Sequence, residues 1–179
     1  MTDVLTRLTT LLQESGLLTS ITTDDGFVHG PATQSATGSE VMVNVDPDLE
    51  EDPDPDLPAL VAQVGRVLSM PATAWTALLD EIATEVEDAV GDVPVENDTD
   101  LRDDLAARSV VVFPDAVLIA FDAPAQFPDA VVRVQLDADL GLEDLEIAAL
   151  DAEDADDGID TVTFDSLDEL LDHLSENRD

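Results

Sequence analysis

Along the first fifteen residues the apolar positions fall at Leu5, Leu8, Leu11 and Leu12, and Gly16 stands where a C-terminal cap belongs. That spacing predicts a helix over about residues 3–15 that buries one face. The pattern then changes period. "LLTSITTDDGFVHG" and "EVMVNVD" read as short strands: Asp25-Gly26 supplies hairpin turn chemistry, and Val41, Val43 and Val45 alternate with Met42 and Asn44. The stretch between them, "PATQSATGS", carries turn residues and nothing to bury, and is read as a loop. From Leu57 the three-and-four spacing returns at Leu57, Leu60, Val61, Val64 and Leu68, with Asp56 placed to cap the helix. Met70-Pro71 interrupts it, because a residue before proline is pushed out of helical dihedrals. A further helix sets Trp75, Leu79, Ile82, Val86 and Val90 on one stripe and turns Asp80, Glu81, Thr84, Glu85, Glu87 and Asp88 to water, until Gly91 stops it. "NDTDLRDDLAAR" adds a short helix in which Asp98 with Arg102, and Asp104 with Arg108, would pair one turn apart.

The most apolar part of the chain is "SVVVFPDAVLIAFDAPAQFPDAVVRVQLD". Its β-branched runs at 109–113, 116–122 and 130–137 are separated by Pro-Asp turns, which predicts an antiparallel meander. The middle run is apolar on both faces and should be central; in the third, Val132, Val134 and Leu136 face inward while Arg133 and Gln135 face out. A fourth strand is read in "LEIAALD" and a fifth in "IDTVTF" beyond the acidic loop at 151–158. A closing helix follows, with a capping box from Ser166 to Glu169 and a stripe of Leu167, Leu170, Leu171 and Leu174. "FPDAV" occurs twice, at Phe113 and at Phe127. Fourteen residues is too short for a solenoid repeat, so the two copies read as turns that place Phe113 and Phe127 near opposite ends of the central strand. The expected fold is α+β over 1–179 as one domain: one antiparallel sheet of about five to seven strands containing the meander at about 109–137, helices packed on one face, and a C-terminal helix. A sheet edge near "EVMVNV" would be free to pair with a second chain, giving a monomer or weak homodimer.

Charge alters this picture more than any motif. The chain carries 43 acidic and 6 basic residues, for a formal charge of −37, and every basic residue is arginine. A field of that sign repels phosphate backbones and anionic lipid, so nucleic-acid and membrane-surface partners are not expected, whereas a basic protein is. The same acidity, and the absence of lysine, equally suit a salty cytoplasm or a GC-rich genome. There is no cysteine, which removes disulfides, thiolate metal sites and a cysteine nucleophile. "MTDVLTRLTTLLQESG" lacks the basic flank and unbroken apolar core of a secretory signal, and no later run is long enough for a membrane span, so the expected location is cytoplasmic.

Candidate chemistry is sparse. The acidic loop near Gly158 misses the calcium-loop pattern, since ligand positions fall on Ala155 and Phe164. His29, read in a turn beside Gly30-Pro31, and His173, near the end of the closing helix, lie far apart in the sequence with no Cys or second His beside either. Phosphate loops, nucleophile elbows and metalloprotease helices are absent. The Trp75 stripe and "VVVF" are read as core rather than as a partner face or an exposed edge. No catalytic, cofactor-binding or metal-ligating residue is therefore nominated, and no cofactor is expected. The one candidate surface is the exposed segment 46–58, whose carboxylates Asp46, Asp48, Glu50, Glu51, Asp52, Asp54 and Asp56 alternate with prolines that forbid a helix or central strand. Two readings follow. One is a non-enzymatic protein that presents these carboxylates to a basic partner; the other is a small-ligand or hydrolytic domain whose acidity is generic.

Overall fold

The computed structural model describes residues 2–24, 26–90 and 97–150. Helix α1 (Thr2–Ser15) leads into strands β1 (Thr22–Thr23), β2 (Val28–Thr33) and β3 (Glu40–Val45). Helices α2 (Leu57–Leu68), α3 (Ala72–Val90) and α4 (Leu101–Asp104) follow, then β4 (Ala106–Val112), β5 (Ala116–Ala123), β6 (Phe127–Asp137) and β7 (Leu142–Ala149). The helix starts and stops have local causes. Asp56 Oδ1 accepts the Ala59 backbone N–H at 3.0 Å, and Met70-Pro71 separates α2 from α3 as its geometry requires.

All seven strands form one sheet in chain order. The expectation of an antiparallel sheet is corrected at one junction: β3 pairs with β4 in parallel, Val43 against Val110 and Val45 against Val112, while every other pairing is antiparallel. Parallel neighbours need a crossover, and residues 46–105 supply it with three helices on board. The meander extends beyond its expected bounds to include β7, with β5 central to it as the doubly apolar run predicts. The predicted closing helix and fifth strand, the acidic loop at 151–158, His173 and the Gly91 helix stop lie outside the described residues.

One apolar cluster unites the helices with a single face of the sheet. Leu8 and Leu12 of α1, Leu60, Val64 and Val67 of α2, and Trp75, Leu78 and Ile82 of α3 close over Val43, Val110, Ile119, Phe121, Val132 and Ile147. The Trp75 and Phe121 rings meet at 5.7 Å, tilted by 40°, so the Trp75 stripe is core, as expected. "VVVF" is not an edge either, since β4 is paired on both sides. The same holds for "EVMVNV": β3 lies inside the sheet, and the edges of the described sheet are β1 and β7.

Three local readings are corrected. Pro31 and His29 are in strand β2 rather than in a loop and a turn. Proline is tolerated there because β1 pairs only with Val28 and His29, leaving the N–H side of Pro31 without a ladder partner to lose. The second "FPDAV" is not a turn. Asp122 pairs with Val131 and Ala123 with Phe127, so Pro128 and Asp129 sit in an irregularity of β6, whereas the first copy does turn, with Phe113 N–H donating to the Ala116 carbonyl at 2.9 Å. The two rings lie at opposite ends of β5, as their register predicts, but they are half-buried rather than the buried core anchors expected of them. Finally, α4 is only four residues long, so the pairs one turn apart do not form: Arg102 bonds Asp80, Glu87 and Asp100, and Arg108 faces Asp122.

The strap from Leu17 to Ile21 crosses β2 closely, with Thr19 N–H donating to the Pro31 carbonyl at 2.9 Å. A Cβ on Gly30 would lie 2.0 Å from the Ser20 carbonyl oxygen, a backbone atom that cannot step aside alone. In α2, a Cβ on Gly65 would meet only Leu17 Cδ1 at 3.8 Å. Gly30→Ala is thus expected to destabilise by about 1–3 kcal/mol and Gly65→Ala to stabilise by about 0.5–1 kcal/mol, both read from urea midpoints.

Candidate functional site

The nominated acidic segment forms a shelf at the end of the sheet where β3 and β4 both finish. Asp46 N–H donates to the Val112 carbonyl at 3.0 Å, which ties the start of the shelf to β4. Asp46 Oδ1 accepts the Asp48 N–H at 2.8 Å, Asp52 Oδ1 the Asp54 N–H at 3.0 Å, and Asp56 caps α2. Asp48 takes a positive φ of 52°, a conformation that Asp tolerates better than most residues, and its carbonyl receives the N–H groups of Glu51 and Asp52. Pro47 and Pro55 are buried beneath this run. The expected exposed connection is therefore anchored at both ends, and the side chains of Glu50, Glu51 and Asp54 project from it with no hydrogen bond or ion pair to another described side chain, since the ion pairs of the described residues lie elsewhere.

The arginines are placed elsewhere. Arg102 joins Asp80 of α3 at 2.8 Å, Glu87 at 3.1 Å and Asp100 at 3.2 Å, fastening α4 to α3. Its own acidity is weakened by the carboxylates of Asp80, Glu87 and Asp100. In return, the Arg102 backbone N–H and then its guanidinium hold the Asp100 carboxyl below the usual carboxylate range. Asp104 Oδ2 accepts the N–H groups of Ala125 and Gln126 at 2.9 and 2.8 Å and so fixes the β5–β6 turn. Arg66 donates to the Ala138 carbonyl at 2.8 Å and to Gln63 Oε1 at 3.0 Å, and borders a cleft of about 460 Å³ between the α2–α3 junction and the β6–β7 turn.

Sequence reasoning missed a second surface, on the face of the sheet that carries no helix among the described residues. Cross-strand register aligns Met42, Ser109, Ala120, Arg133 and Glu146 in one row. Asn44, Val111, Leu118, Gln135 and Asp144 form the next. This face carries a groove of about 630 Å³ with Leu118, Val111 and Val131 among its lining. Val131 and Ala148 are buried on this side, although no described helix covers it. Two arginines stand in the groove in loose ion pairs, Arg108 with Asp122 at 3.7 Å and Arg133 with Glu146 at 3.9 Å. Glu146 Oε1 is buried and accepts no hydrogen bond among the described residues. The available signal was the central run "AVLIAFDA", whose outward positions Ala116, Leu118 and Ala120 are apolar as well as its inward ones.

Half-buried His29 packs its ring 5.6 Å from that of Phe27. No group of three or more His, Asp or Glu side chains among the described residues is disposed to hold a metal ion. Nor is any described helix long and apolar enough to cross a membrane. No protein-family model, curated protein or solved structure matches the chain.

The Asp100 geometry fixes the sign of one pH effect. Its folded pKa lies below the unfolded value of about 3.9, so its contribution to stability is complete above that pH and is lost as pH falls through the folded value. Asp100→Asn should be less stable than the parent above about pH 4 and converge with it at lower pH, as read from denaturant midpoints across a pH series.

Proposed function

We propose that this chain is a non-enzymatic interaction protein that receives a basic protein partner on the shelf from Asp46 to Asp56. The supporting observation is the division of labour within that run. Asp46, Asp52 and Asp56 hold the backbone, while Glu50, Glu51 and Asp54 face outward without an arginine to neutralise them. A rigid set of uncompensated carboxylates offers a cationic partner fixed geometry as well as net charge, and a field of this sign accelerates the encounter. Buried Pro47 and Pro55 limit the chain entropy that docking would otherwise remove.

The alternative, a small-ligand site, has the sheet groove in its favour. Its charged groups, however, already face one another, and its floor is aliphatic, which suits a surface of side chains better than a charged small molecule.

An arginine-rich peptide measured by calorimetry at low and high salt tests the shelf. Replacing Glu50, Glu51, Asp52 and Asp54 by their amides removes the charge while leaving one acceptor oxygen on each side chain and should weaken binding by roughly tenfold or more. The same number of neutralisations at exposed Glu14, Glu81, Glu85 and Asp88 should cost much less. Equal losses from the two sets would make the acidity generic and overturn the proposal.

A further inference from the structure

Neither the core nor the acidic shelf accounts for how the cleft of about 460 Å³ beside Arg66 is built. Gln63 is 7% exposed and uses both ends of its amide there: Nε2 donates to the Ala138 carbonyl at 3.1 Å, and Oε1 accepts Arg66 Nη1 at 3.0 Å. Arg66 Nη1 also donates to the Ala138 carbonyl at 2.8 Å. The guanidinium is thus held in place by two neutral acceptors that leave its charge unmet. Its one ion pair among the described residues is with Asp139, whose Oδ1 lies 3.9 Å from Nη2 and whose side chain is 99% exposed. A pair so long and so solvated contributes little and exchanges partners readily. The β6–β7 turn opposite is firmly set. Asp137 Oδ1 accepts the N–H groups of Asp139 and Gly141 at 2.8 and 2.9 Å, and Leu140, at a positive φ of 68° that leucine rarely adopts, lines the cleft.

We propose that this cleft binds a free α-amino acid with an apolar side chain. Such a ligand carries its carboxylate and its ammonium on one carbon, and Arg66 and Asp139 present the opposite charges at a matching separation of 3.9 Å. Insertion exchanges one solvated ion pair for two charge-assisted contacts, carboxylate on Arg66 Nη2 and ammonium on Asp139 Oδ1. The remaining wall is apolar: Met70 and Leu78 are buried, Pro71, Ala74 and Ala77 lie open, and Leu140 is half-buried. Alanine at 74 and 77, one turn apart on α3, leaves width that an aliphatic or aromatic side chain would fill. The volume lies within the roughly 300–1,000 Å³ of small-ligand sites.

Charge selects between ligands. A simple anion approaches against a field of −37 and meets Asp139 and Glu81 beside the arginine, whereas a simple cation meets Arg66. A zwitterion is not repelled by the net charge and answers both groups. Its binding is therefore nearly indifferent to salt, unlike the docking of a basic partner on the shelf, and the two sites stand or fall separately.

Protein-observed NMR of the full chain provides the test. L-leucine should give saturable amide shifts confined to residues 63–71, 74–81 and 138–141, with a dissociation constant that changes less than about twofold between about 0.1 and 1 M NaCl. N-acetyl-L-leucine, without the ammonium, and L-leucinamide, without the carboxylate, should each bind roughly tenfold or more weakly. Arg66→Gln should weaken L-leucine by a similar factor and leave L-leucinamide unchanged; Asp139→Asn, at a fully exposed side chain, should weaken L-leucine and leave N-acetyl-L-leucine unchanged. Ala74→Phe, at an exposed position on α3, should abolish binding with an unchanged urea midpoint. No saturation by about 20 mM L-leucine, blocked analogues that bind as well as L-leucine, or L-lysine bound more tightly than L-leucine would each overturn the proposal.

Discussion

The pairing of β3 with β4 in parallel is the constraint on which the rest of the molecule depends. Two neighbouring strands that run the same way cannot be joined by a turn, so residues 46–105 must travel back the length of the sheet. That return places α2 and α3 on one face, next to α1, where their apolar stripes close a single core. The other face is left without helices among the described residues. The return must also begin where β3 ends, beside the end of β4, and the acidic shelf occupies that turn of direction. Core, groove and shelf are therefore three results of one strand orientation.

Charge is managed locally rather than by pairing. With far too few arginines to neutralise its acids, the chain directs carboxylates to backbone N–H groups: Asp104 at the β5–β6 turn, Asp137 at the β6–β7 turn, Asp56 and Asp100 at helix starts. Such bonds need no cation. Arginines tie elements together instead: Arg102 holds α4 to α3, and Arg66 reaches from α2 to the Ala138 carbonyl at the β6–β7 turn.

Features with a one-dimensional cause were legible in the sequence. Asp56 as a cap, Pro71 as a break, the inward Val132, Val134 and Leu136 of β6, and the central place of β5 all follow from spacing or from a single residue's dihedral limits. What escaped depends on a partner far along the chain. Nothing in "EVMVNV" or "ARSVVV" records that they lie side by side and point the same way. Pro31 reads as a loop unless one knows that β1 stops short of it, and Arg102 reads as a partner for Asp98 unless α3 is known to pass beside it. The shelf was legible as composition but not as an anchored shape, because its order comes from buried Pro47 and Pro55 and the Val112 carbonyl. The groove was hidden because half of its lining was assigned to core by hydrophobicity alone.

Strand order that follows chain order has a kinetic side. Strands β4 to β7 are joined by short turns, and each pairs with the strand before it, so this half of the sheet can assemble from contacts close in sequence. The hairpin of β2 and β3 is equally local. The two halves meet only through Val43, Val45 and their neighbours on β4, after the 46–105 connection has been closed and its loop entropy lost. The β3–β4 pairing therefore carries the long loop closure of the sheet, and the shelf, lying at the closure point, is where repulsion among its own carboxylates opposes that closure most in dilute salt.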